Sequence, residues 1–174
     1  QQDQLHKVPA SSGITNANIF SFAADTSGKA LYLATLGGVF KLDMSQPGIR
    51  INPLSSFKDE GPGTYYIYQV LVDRQNRLWI ATDGLGVFCY EKQKFTRFNS
   101  HQGGTFRIAL GIAEDINGNI WVNSLDGGLL KISNGRNTQI FETSTKRRPV
   151  ISAISAVENH LLIQYDQGIS MLDL

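Results

Sequence analysis

Four stretches of the chain, residues 25–43, 73–90, 115–132 and 158–174, follow one template: an acidic residue, a polar turn, an apolar run, a glycine turn and a second apolar run. A period of this kind constrains a fold more than any single residue does. One unit cannot bury its own apolar face and must stack on its neighbours. Trp79 and Trp121 lie 42 residues apart, as do Gly86 and Gly128. Tyr32 precedes Trp79 by 47, because the first connection carries an insertion. Periods of roughly 40–50 residues are those of propeller blades, each built from four antiparallel strands.

The surrounding sequence supplies the remaining strands. Runs with period-two alternation precede each acidic residue, at 19–24, 67–72, 109–114 and 152–157. Short runs at 94–98 and 138–142 provide a fourth strand, and no window shows apolar residues at helical spacing with caps. The chain is therefore expected to be all-β, a single propeller-repeat domain over 1–174. Its four blades of four antiparallel strands fall at approximately 15–58, 64–100, 105–143 and 149–174. Four blades make either an arc of a larger propeller or a small closed one, and the sequence leaves both open. The last repeat stops at Leu174 after its third strand, and residues 4–8, within 1–10, are placed to supply an outer strand to it. In an open arc the end blades expose apolar faces and strand edges, so self-association through them is expected.

The recurring residues have local reasons to be where they are. Asp73 and Asp115 can accept hydrogen bonds from amides two residues on, while Gly28, Asn76 and Gly118 suit a positive φ. Tyr32, Trp79 and Trp121 share one strand position and fill the wedge between blades, with Leu162 a weaker fourth copy. That recurrence assigns the tryptophans to packing rather than to stacking on sugars. Gly37, Gly38, Gly84, Gly86, Gly127, Gly128 and Gly168 mark the second turn, and none forms a phosphate-binding loop between a strand and a helix. Asp83, Asp126 and Asp166 lie in the same turns and read as loop acceptors rather than calcium ligands or general bases.

Composition narrows the function. Sixteen basic and fifteen acidic residues give a net charge of +1, and the one dense basic run is Lys146-Arg147-Arg148, so no nucleic-acid surface is expected. His6, His101 and His160 sit in different repeats, away from the lone Cys89, so neither a metal site nor a cofactor is expected. Cys89 aligns with Lys41 and Lys131, which points to partial exposure. Charges and glycines interrupt every apolar stretch well before the roughly 18 residues that span a bilayer. The segment itself is therefore read as not embedded in a membrane, with any signal peptide outside it.

The pattern acidic-x-x-Gly/Asn-x-Leu/Ile-Trp-Ile/Val-x-Thr/Ser-x-x-Gly, clearest at 73–86 and 115–128, resembles the two-component regulator propeller repeat. Asp73, Asn76, Trp79, Ala81, Thr82, Asp83, Gly84 and Leu85 carry the resemblance, as do Asp115, Gly118, Trp121, Ser124, Gly127 and Gly128. The first repeat departs from it where Lys29 and Ala30 lengthen the turn and Tyr32 replaces tryptophan, and the last lacks the turn glycine and the tryptophan. The resemblance implies a periplasmic sensor region of a hybrid two-component histidine kinase, the extracytoplasmic part of an inner-membrane protein. Such regions often hold two seven-bladed propellers followed by an immunoglobulin-like module, a membrane helix and cytoplasmic signalling domains. Many members sense glycan fragments.

Propeller ligands meet the loops at one mouth. Entering the innermost strands are Asn18, Tyr65, Tyr66, Phe106, Arg107 and Arg148, with His101 in a neighbouring loop. Aromatic rings and guanidinium groups near one axis suit a sugar or acidic saccharide. The competing reading has Tyr65 and Tyr66 covering the core edge and Arg107 solvated. The expected function is non-catalytic sensing of an oligosaccharide, with the remainder of the sensor as partner. The alternatives are an interaction scaffold and a propeller lyase or hydrolase.

Overall fold

A computed structural model describes residues 18–45, 50–54, 66–101, 104–126, 128–141, 150–166 and 168–174. Every regular element among them is a β-strand. The first sheet holds β1 (Ile19–Ala24), β2 (Ala30–Thr35), β3 (Gly38–Asp43) and β4 (Arg50–Pro53). The second holds β5 (Ile67–Val72), β6 (Leu78–Thr82), β7 (Gly86–Glu91) and β8 (Lys94–Phe98). A two-stranded hairpin that the sequence did not announce, β9 (Ser100–His101) with β10 (Gly104–Thr105), leads to the third sheet. That sheet comprises β11 (Ala109–Glu114), β12 (Ile120–Ser124), β13 (Gly128–Ser133) and β14 (Arg136–Phe141). The fourth has three described strands, β15 (Ile151–Val157), β16 (His160–Tyr165) and β17 (Gly168–Asp173).

Within each of the four sheets the strands pair antiparallel in chain order. The first strands β1, β5, β11 and β15 pack on one another in succession, which makes them the inner strands of an arc. No contact of comparable extent joins β1 to β15 among the described residues, so the arc is open. The clasp strand expected from residues 4–8 lies outside the described residues.

One apolar cluster fills each seam between blades. Ala34 and Val39 of the first blade meet Ile67, Val70, Leu78, Ile80 and Phe88 of the second. Trp79, Ala81, Val87 and Cys89 of the second meet Phe106, Ile112, Ile120, Val122 and Leu130 of the third. Ala113, Trp121 and Leu129 of the third meet Ile151, Leu161 and Ile163 of the fourth. Burial in a seam accounts for Cys89, which the sequence placed at partial exposure. Its register with Lys41 and Lys131 holds, opposite Trp79 as they lie opposite Tyr32 and Trp121. A lysine carries its charge outward, and Lys131 does so across the Trp121 ring. A thiol is too short to do this, and Cys89 is only 7% exposed.

The turn aspartates latch the two central blades. Buried Asp73 accepts the amides of Gln75 and Arg77 on Oδ1, at 3.0 and 2.8 Å, and the Trp79 indole N–H on Oδ2 at 2.7 Å. Asp115 repeats this with Asn117, Asn119 and Trp121 at 2.9, 2.8 and 2.8 Å. The tryptophan thus packs a seam with its ring while its one polar atom is satisfied inside its own blade. Asn76 and Gly118 take the positive φ these turns require, 60° and 80°. In the first blade the turn is one residue longer, and Tyr32 has no such bond to Asp25 among those described. The fourth blade corrects the sequence alignment. Val157 and His160 pair directly, so Glu158 sits inside a two-residue turn with φ 52° and does not take the place of Asp73.

Candidate functional site

The inner strands all begin at one end of the arc, where the turns between second and third strands also lie. Each inner strand carries the same irregularity there, a register shift at 19/21, 67/69, 109/111 and 151/153. The residue skipped is Phe20, Tyr68, Leu110 or Ser152. A bulge of this kind re-aims one side chain and raises the local twist, and its recurrence gives four equivalent positions at the mouth. The sequence reading missed Tyr68. The signal was the break in alternation one residue after Ile67.

The seam between the second and third blades is the best defined part of the mouth. The Arg107 carbonyl accepts the amides of Gly84 and Gly86, at 3.0 and 2.7 Å, while its own amide donates to the Asp126 carboxylate at 2.9 Å. Gly86 is required: its φ is 81°, and a Cβ there would lie 2.5 Å from the Phe98 carbonyl oxygen. Asp126 also accepts the Ile108 amide at 3.1 Å and the Ser124 hydroxyl at 2.8 Å. Burial by itself would raise the pKa of Asp126, but the bonds from Ile108, Ser124 and Arg107 outweigh it and hold the carboxyl below its ordinary range. Asp126 is therefore an anionic brace. It fixes the backbone of Arg107, whose side chain is exposed.

Beside it, the Tyr68 hydroxyl lies 3.4 Å from Asp83 Oδ2, and the Asp83 amide donates to the Tyr66 carbonyl at 2.9 Å. Partial burial, then the nearby Asp83 charge, push the Tyr68 phenol above its ordinary pKa, so it stays a neutral donor. Tyr66 is 46% exposed. A neutral phenol, an exposed aromatic ring, a fixed carboxylate and an exposed guanidinium suit a polar ligand with several hydroxyl groups.

The structure divides the sequence candidates. Tyr66 and Arg107 stand at the mouth, and Asn18 is exposed just ahead of β1. Phe106 is a correction. It is fully buried in the seam between the second and third blades, where an aromatic entering a strand finds more apolar surface than the mouth offers. His101 belongs to the β9–β10 hairpin. Tyr65 and Arg148 lie outside the described residues. Burial pushes the Cys89 thiol up to about 11, with the Arg77 charge opposing only in part. Among the described residues no three His, Cys, Asp or Glu side chains gather as metal ligands, and no helix is long and apolar enough to cross a membrane.

These sheets and their seams are those of β-propeller blades joined into an open arc. Residues 61–84 match the two component regulator propeller family, and the chain carries a repeat of that family. In three dimensions it is similar to the extracellular domain of a putative hybrid two component system from B. thetaiotaomicron, with a TM-score of 0.72 and 18% identity, over 97% of this chain and 25% of that one. A second such domain from the same organism gives a TM-score of 0.70 at 17% identity, over 99% and 26%. The chain thus spans about a quarter of the length of these domains. A catalytically inactive virginiamycin B lyase from Staphylococcus aureus, with quinupristin, is similar at a TM-score of 0.66 and 11% identity, over 88% and 50%. At these identities the likeness is one of fold. No curated protein matches the chain significantly.

Proposed function

We propose that this arc is part of the extracytoplasmic, periplasmic sensing region of a hybrid two component histidine kinase, without catalysis of its own. The observation that carries this reading is the regulator propeller repeat at 61–84, within a fold similar along nearly the whole chain to two extracellular domains of hybrid two component systems. The ligand is an oligosaccharide held at the mouth. Tyr66 offers a stacking face, Tyr68 a neutral donor and Arg107 a cation set by its braced backbone, with Asn18 exposed just ahead of β1. Occupancy reaches the remainder of the sensor only if the ligand binds two arrangements of the blades unequally.

The test is calorimetric titration of the chain with a panel of neutral and acidic oligosaccharides. At least one should give a saturable heat, with affinity weakened on the order of tenfold by Tyr66→Ala or Arg107→Ala. Silence across the panel, or binding unchanged in both variants, would remove the mouth as the sensing site.

A further inference from the structure

Neighbouring blades are tied at their inner strands by a polar side chain, and the strand that supplies it changes along the arc. One inner-strand position pairs with one second-strand position in every blade: Ser21 with Ala34, Gln69 with Ala81, Gly111 with Asn123 and Ala153 with Gln164. In the first two blades the polar member is on the inner strand. Ser21 Oγ lies 3.4 Å from the Val70 amide, and Gln69 accepts the Ile112 amide at 2.7 Å and donates to the Ile112 carbonyl at 3.1 Å. In the third blade the inner strand carries glycine. Asn123 reaches across from the second strand instead, and its Nδ2 donates to the Ile151 carbonyl at 3.0 Å.

That exchange leaves one acceptor over. Asn123 is fully buried, and its Oδ1 has no donor among the described residues. Turning the amide over does not help, because an oxygen would then face the Ile151 carbonyl. Gln69 is fixed in the same way, since Ile112 presents it with an N–H and a carbonyl. Both amide oxygens therefore border one spot: a Cβ built on Gly111 would lie 2.4 Å from Asn123 Oδ1 and 3.2 Å from Gln69 Oε1. One bridging molecule covers such a gap, which is within roughly two O–H···O lengths of about 2.8 Å each. Gln69 Oε1 spends one lone pair on Ile112 and keeps a second. Two acceptors with no protein donor between them require a small partner with two protons to give.

We propose that Gly111 floors a binding site for a single water molecule, which donates to Asn123 Oδ1 and to Gln69 Oε1. Water suits the site better than a monovalent cation, because both oxygens are neutral and Oδ1 is sealed from the surface, where an uncompensated ion costs far more than a neutral donor. It suits the site better than a hydroxyl of a ligand at the mouth, because Asn123 exposes no surface for one to reach. The Ile112 peptide, Gln69, the water, Asn123 and the Ile151 carbonyl then form one polar chain through the second, third and fourth blades. Glycine at 111 is what admits the molecule, since any Cβ there would strike the Asn123 oxygen.

The test is a crystal structure of the chain at a resolution that places waters, paired with water cross-relaxation measured by NMR. Wild type should show one ordered water about 2.7–3.0 Å from both amide oxygens, and a persistent water cross-peak to the Asn123 side-chain amide. A protein donor on Asn123 Oδ1 with no water there overturns the proposal. Crystals grown in rubidium chloride that give an anomalous peak at the spot identify a cation and also overturn it. The double variant Gly111→Gln with Asn123→Ala copies the Gln69–Ala81 pair, and should lose both the water and the cross-peak. A water kept at the spot in that variant does not depend on Asn123 and contradicts the assignment. Should the variant fail to fold, the wild-type measurements decide by themselves.

Discussion

The two central blades and the two end blades are copies of one unit, yet they are not equally finished. In the centre, Asp73 and Asp115 each clasp a turn and a tryptophan, and both faces of each sheet are covered. At the ends, Tyr32 and Leu162 replace the tryptophans, the turns change length, and Phe22, Ile169 and Met171 stand in solvent. Burial in this architecture comes from neighbours rather than from the blade itself. A repeat covered on both sides can therefore support a demanding polar latch.

The largest test of that contrast removes the wedge. Trp121→Ala empties part of the seam between the third and fourth blades and removes one of the two side-chain bonds to Asp115 Oδ2, at a cost of about 3–5 kcal/mol in chemical denaturation. Leu162→Ala, on the uncovered face, should cost less than about 1 kcal/mol. Equal costs would mean the end face is covered in solution.

Next comes the latch itself. Asp73→Ala strands the Trp79 indole and two turn amides and should cost roughly 1–3 kcal/mol. Asp25→Ala, in the exposed turn of the first blade, should cost well under half as much, by the same measurement. A comparable loss at Asp25 would show that the first turn is as constrained as the second.

A smaller contrast concerns backbone. Gly86→Ala adds a Cβ against the Phe98 carbonyl at a positive φ and should lower stability by about 1–3 kcal/mol. Gly38→Ala, at φ 121° with open space around it, carries only the conformational part of that penalty.

The gentlest probe is pH. Burial opposes ionisation of Asp115, but bonds from Asn119 and Trp121 prevail and hold its carboxyl below the ordinary 3.8. Asp126 is lowered in the same sense. Carboxyls lowered in this way stabilise the fold fully above 3.8 and lose that contribution as the pH falls through their folded values. Acid unfolding should therefore set in below about pH 4, and Asp115→Asn should flatten the profile there.

Much of this was legible because the repeat carries its own register. The strand starts at Ile19, Ile67 and Ala109, the turn roles of Asp73 and Asp115, and the positive φ at Gly28, Asn76 and Gly118 all follow from alternation and turn chemistry. What escaped depended on neighbours in space. Cys89 and Phe106 looked available because the chain around each did not reveal the neighbouring blade pressed against it. Tyr68 was invisible as a mouth residue because a bulge breaks the alternation used to find strands. Glu158 was misplaced because a two-residue turn and a five-residue turn can present the same acidic letter at nearly the same spacing.

The most direct test of the sensing assignment is to read the open reading frame that encodes this chain past Leu174. The account predicts further propeller repeats, then a membrane-spanning helix and a histidine kinase core. A frame that instead closes without a membrane helix, or that runs into an enzyme domain unrelated to signalling, would contradict it.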